Sequence, residues 1–127
     1  MTFLDQEGVL RVHRTLAERF GGVPSVRDVA LLASAVAQPR QSFGGRYLHA
    51  GLFEIAAAYA YHIIADRPFV QGNRRTAAAC ACVFLQLNGR ELCCDPHVLF
   101  RAMISVGEGL MTEATLARFL EVNARPL

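Results

Sequence analysis

Arg67-Pro68-Phe69-Val70-Gln71-Gly72-Asn73-Arg74-Arg75 cuts the most apolar region of the chain in two. On one side, Leu52 to Ala65 carries Leu52, Ile55, Ala56, Tyr59 and Ile63 with apolar neighbours on nearly every face, the pattern of a buried central helix. On the other, Thr76 to Leu87 is again apolar almost all round, and Asn88-Gly89 supplies a C-terminal stop. Two buried helices joined by a charged loop therefore form the core, and the domain is read as all-α.

The flanking sequence extends that reading. Val9, Val12, Leu16 and Phe20 repeat at helical spacing after the N-cap candidate Asp5, and Gly21-Gly22 ends the pattern, predicting a helix over 6–20. Ser25-Val26-Arg27-Asp28 has the shape of a capping box before Leu31, Leu32, Ala35 and Val36, with Pro39 ending the second helix. Residues 41–51 contain three glycines and no sustained period, predicting a loop or short hairpin that could fold over a site. Asp95-Pro96 and Thr112-Glu113 open two further helices.

Composition narrows the class. The 127 residues fit one domain, 1–127, with a single core. No apolar run reaches the roughly 18 residues of a membrane span, and no secretory signal opens the chain, so no membrane role and a cytoplasmic location are expected. Cys80, Cys82, Cys93 and Cys94 lack the C-x-x-C spacing of structural zinc sites and are read as reduced core thiols, with no metal site. A net charge of +2 does not announce a nucleic-acid binder. There is no lysine, and three of the 13 arginines fall between positions 67 and 75.

That clustering has a chemical meaning. A helix N-terminus presents unpaired N–H groups and about half a positive charge, so phosphates settle there. Gly72 lets backbone approach an anion, Asn73 can brace the turn, and Arg74 and Arg75 offer forked donors matching phosphate oxygens. The alternative is that Arg75 pairs with a carboxylate such as Glu54 while Arg74 is a solvated helix-start charge. Two arginines against the helix dipole favour the anion site.

Pro68-Phe69-Val70-x-Gly72-Asn73-x-Arg75-Thr76-Ala77 resembles the H-P-F-x-D-G-N-K-R-T-A motif of the Fic/Doc family, closest to its death-on-curing (Doc) branch. Similar residues continue at Val12-His13, Phe20-Gly21-Gly22, Val26-Arg27-Asp28, Phe43-Gly44-Gly45, Glu54 and Phe84-Leu85 through Gly89. The resemblance implies a helical Fido-fold bundle that transfers phosphoryl or adenylyl from a nucleotide to a protein hydroxyl, as toxins of toxin–antitoxin pairs do. Phe69 would anchor the loop, and Gly72, Asn73, Arg74 and Arg75 would hold the phosphates of ATP or another nucleotide. Gly45, Arg46 and Tyr47 would belong to the flap that positions a target protein, and an antitoxin is the other implied partner.

Two positions depart from the motif. Arg67 stands where the family has the histidine that accepts a proton from the attacking hydroxyl, and arginine, with a pKa above ~12, has no lone pair to offer. Gln71 replaces the acid that ligates magnesium, and a neutral amide oxygen suits that hard cation less well, which argues against Mg2+ here. Asp66, His62 and His49 are the candidate replacement bases. The residues thus predict nucleotide or phosphate binding with weak or lost catalysis. Two rivals stay open: a transferase toxin with altered catalytic groups, and a non-enzymatic helical interaction module.

Overall fold

The computed structural model describes residues 1–43, 46, 47 and 51–127, with backbone alone at 42, 43, 46 and 47. Six helices run in order: α1 (Gln6–Phe20), α2 (Val29–Ala37), α3 (Leu52–Asp66), α4 (Asn73–Leu87), α5 (Pro96–Gly107) and α6 (Glu113–Val122). The all-α reading holds. Beside the helices lie a hairpin of β1 (Ser42–Phe43) and β2 (Arg46–Tyr47) and a small sheet of β3 (Arg90–Leu92) with β4 (Ala124–Pro126). The β3–β4 pair joins positions over thirty residues apart, Glu91 opposite Arg125, and was not anticipated because nothing local in sequence announces it.

Helix α3 is central. It packs most extensively on α4, then α6, with α2 and α5 against its remaining sides. Ile55 through Ala60 are all buried, and the alanines let the neighbouring helices approach closely. Tyr59 and Phe84 fill the space between α3 and α4, with ring centroids 5.3 Å apart, and each such fully buried large side chain contributes roughly 1.5–3 kcal/mol. The Tyr59 hydroxyl donates to the Leu4 carbonyl and accepts from the Leu4 N–H, strapping the N-terminal segment over the core.

Local capping explains most helix starts. Asp5, Asp95 and Thr112 accept N–H hydrogen bonds from Gly8, His97 and Thr115, as their positions in sequence predict. One boundary differs. Helix α2 is capped by Asp28, which accepts from Leu31 N–H, rather than by Ser25, whose carbonyl is taken by Val70 N–H. Helix α4 begins at Asn73, where Gly72 at φ 79° turns the chain directly into helix, so Arg74 and Arg75 fall in its first turn as the sequence suggests.

The predicted hairpin is present where it is described: Ser42 pairs with Tyr47 and Phe43 with Arg46. Gly45 and His49 lie outside the described residues. Only Cys80 is a fully buried thiol; Cys93 is exposed and Cys94 half-buried, correcting their assignment to the core. Among the described residues no helix is long and apolar enough to cross a membrane.

Candidate functional site

The loop between α3 and α4 is built from both ends. Arg67 ends α3 in the left-handed region, at φ 49° and ψ 57°, the one non-glycine with positive φ among the described residues. That conformation costs an L-residue roughly 1–2 kcal/mol, so surrounding contacts must impose it. Arg27 supplies them: its Nε donates to the Arg67 carbonyl at 2.7 Å and its Nη2 to the Asp66 carbonyl at 2.8 Å, capping the end of α3. The backbone of residues 25–28 then runs antiparallel to the loop. Arg27 N–H donates to the Pro68 carbonyl, Val70 N–H to the Ser25 carbonyl, and Val26 pairs with Phe69.

Asn73 closes the loop from the α4 side. Its Oδ1 accepts from Phe69 N–H and its Nδ2 donates to the Phe69 carbonyl, both at 3.0 Å. The Phe69 ring is fully buried and stacks on His13 of α1, centroids 3.7 Å apart and planes 12° apart. Loop position and loop anchor are therefore fixed separately, one by hydrogen bonds and one by packing.

Gly72 provides no side-chain cap for α4, so the first-turn N–H groups are left for solvent or a ligand. They border a cleft of about 440 Å³ lined by Arg67, Arg74 and Arg75, with Ile64, Val70 and Phe100 as apolar walls. The size falls within the ~300–1,000 Å³ of small-molecule sites. Among the described residues no carboxylate lines it, and neither Arg67 nor Arg74 has an acidic partner. Arg74 lies against the C-terminus of α5, where the absence of a side chain at Gly107 makes room: a Cβ there would sit 3.3 Å from Arg74 Nε. Arg75 does not pair with Glu54; its guanidinium lies over Phe20 at 4.6 Å from the ring centre.

The predicted loop residues thus come together at one place, with different tasks. Arg67, Gly72, Asn73, Arg74 and Arg75 border the cleft. Gln71 borders it too, but its Oε1 accepts a hydrogen bond from Val23 N–H at 3.1 Å and holds the turn after α1. A tied amide oxygen with no carboxylate beside it does not fit magnesium held by the protein. Among the described residues no group of three or more metal-ligating side chains occurs. Of the candidate bases, Asp66 and His62 do not line the cleft, and His62 Nε2 instead faces Glu113 Oε1 of α6 at 3.6 Å. Arg46 and Tyr47 sit on β2 of the hairpin.

Sequence reasoning missed the roles of five residues. Arg27 and Ser25 act through backbone groups forty residues away, which no local pattern announces. Gly107 and Phe100 line the cleft from α5. His13 carried a signal that passed unused: it sits one turn after Val9 on the apolar face of α1, where a buried histidine needs a partner.

With this geometry in view, comparison with known proteins decides the relationship, because residues 3–85, from the N-terminal strap into the last turn of α4, match the profile of the Fic/DOC family. The chain belongs to the Fic/Doc family. It is similar to Toxin Doc of Mycolicibacterium smegmatis, 39% identical over 93 residues that span 73% of this chain and 69% of that protein. It is also similar to Protein kinase doc of Escherichia phage P1, 24% identical over 98 residues, 77% of each chain. The matched region contains the whole Fic/Doc loop and its braces, while α5, which adds Phe100 and Gly107 to the cleft, and α6 lie beyond the matched profile.

Proposed function

We propose that this chain is a Doc-type protein that binds the phosphates of a nucleoside triphosphate at the start of α4 and transfers them slowly or not at all. The observation that carries the reading is the cleft itself: three arginines line it beside an uncapped helix N-terminus, and among the described residues no carboxylate lines it to neutralise them. Such a charge balance favours an anion, and forked guanidinium groups match phosphate oxygens.

Binding requires Gly72 for close approach, Asn73 to hold the loop shape, and Arg74 and Arg75 for charge. Transfer to a hydroxyl requires in addition a group that takes its proton. Arg67 occupies the position from which that group would act and has no lone pair, so it adds charge beside the phosphates instead. Lacking a general base typically lowers a rate by about 10²–10⁴. Gln71 is engaged by Val23, which supports nucleotide binding that does not depend on a protein-held magnesium ion.

The names of the relatives, a toxin and a protein kinase, support an ancestry in phosphoryl transfer to a target protein and an antitoxin as partner. ATP titration with and without magnesium tests the reading directly. Micromolar to millimolar binding that is lost in Arg74→Ala and insensitive to chelator is expected; an affinity that Arg74→Ala leaves unchanged would refute the assignment. Transfer from γ- or α-labelled ATP in lysate should rise in an Arg67→His, Gln71→Asp double variant. Rapid transfer by the unaltered chain would remove the claim of weak catalysis.

A further inference from the structure

His13 is nearly inaccessible, at 3% exposure, and Nε2 forms no hydrogen bond of ordinary geometry. A side chain kept only for stability would not need to be an imidazole, because an apolar group of similar shape would fill the place without a stranded nitrogen. We infer that His13 is the positioning residue of the phosphate-facing loop, holding Gly72 from behind through Phe69 and Thr76 without touching the nucleotide. This rests on the reading that the cleft takes phosphate.

The contacts converge on one point. The imidazole stacks on Phe69, the loop anchor. Its Nδ1 lies 2.8 Å from Thr76 Oγ1, and a hydroxyl can serve either tautomer by donating or accepting. Thr76 N–H in turn donates to the Gly72 carbonyl at 2.9 Å, closing the first turn of α4. A Cβ added at Gly72 would lie 3.6 Å from His13 Cε1, so the imidazole edge sits directly beneath the residue whose left-handed φ shapes the cleft. His13 thus reaches the loop before, at and after its turning point.

The space behind the loop explains why such a prop is needed. A recess of about 100 Å³ lies there, lined in part by His13, Gly22, Gln71, Gly72 and Thr76. At ~30 Å³ per molecule it has room for about three waters, so apart from His13 the turn at Gly72 is not backed by close packing on that side. Without the two grips of His13, Gly72 is free to settle into the recess and its neighbours' N–H groups turn away from the cleft. Burial lowers the pKa of the imidazole, opposed by a weaker contribution from the Val23 backbone, so burial favours the neutral ring that lies flat on Phe69.

Three variants test the inference. His13→Phe keeps the stacking and removes the hydrogen bond to Thr76; Thr76→Val removes the same bond from the other side; His13→Asn restores a polar group near Thr76 while losing the ring. Amide exchange at Phe69, Val70 and Thr76, melting temperature and ATP affinity are measured for each. In His13→Phe and Thr76→Val, exchange at these amides is expected to quicken at least about tenfold, with α3 unchanged. ATP affinity should fall about 10- to 100-fold, the cost of a misplaced binding group, while the melting temperature falls only modestly, the cost of one stranded buried group.

His13→Asn should melt lower yet bind ATP better than His13→Phe, so that affinity follows the hydrogen bond and not stability. Unaltered exchange and affinity in His13→Phe, or affinities that simply track melting temperature, would overturn the inference. If His13→Phe does not fold, Thr76→Val carries the same comparison. Should the unaltered chain bind no ATP, the proposed function fails, and the exchange measurement still decides whether His13 holds the loop.

Discussion

Asn73→Ala isolates the brace of the loop. The side chain makes two hydrogen bonds to one residue, accepting from Phe69 N–H and donating to the Phe69 carbonyl, each at 3.0 Å. Deleting it strands a donor and an acceptor in a half-buried setting. Each such loss costs about 1–3 kcal/mol when water cannot replace the partner, and partial access by solvent places the pair near ~2–3 kcal/mol together. Against a total stability of about 5–15 kcal/mol that is a large fraction. With a urea m-value of about 1–3 kcal/mol/M, the unfolding midpoint should drop by about 1–2 M. Equilibrium urea denaturation followed by circular dichroism measures it. Asn73→Asp serves as the internal comparison: it keeps an acceptor for Phe69 N–H, gains from a negative charge at the start of α4, and loses only the donor. It should fall between the unaltered chain and Asn73→Ala. An Asn73→Ala midpoint within a few tenths of a molar of the unaltered chain would show that the supports from residues 13–28 hold the loop without Asn73.

Other perturbations separate stability from site geometry. Gly107→Ala should raise stability slightly, since replacing a helical glycine is worth up to about 1 kcal/mol, while its Cβ displaces Arg74 and weakens ATP binding; paired melting and titration experiments detect the divergence. Because His13 has a lowered pKa in the folded chain, the unfolded chain binds more protons below about pH 6.5, so stability should fall as pH drops from there through the folded pKa. Urea midpoints between pH 7 and 5 should show a smaller decline for His13→Phe. Iodoacetamide at pH 8 should label exposed Cys93 first and leave Cys80 unmodified, since burial pushes that thiol up to about 12; mass spectrometry of the intact and digested protein reads the order.

The helices and the place of the site were legible because their signals are local. Asp5, Asp95 and Thr112 cap within three residues of themselves, and the apolar sequence on both sides of 67–75 describes buried helices whatever surrounds them. What could not be read acts at a distance. Ser25 looked like a helix cap because its hydroxyl suits that task, yet its carbonyl is committed to Val70. Gln71 reads as a vacancy in a metal site, and only folding reveals its use as a tether for Val23.

The antiparallel pairing of 25–28 with the loop has a consequence for assembly. Apart from Asn73, every support of residues 66–71 described above, from His13, Val23, Ser25, Val26 and Arg27, comes from the first 28 residues. A fragment beginning at α3 would contain every cleft arginine and still lack a cleft, because nothing would force Arg67 into its left-handed turn. The N-terminal quarter thus acts as a built-in template, and chain emerging during synthesis has that template ready before the arginines arrive.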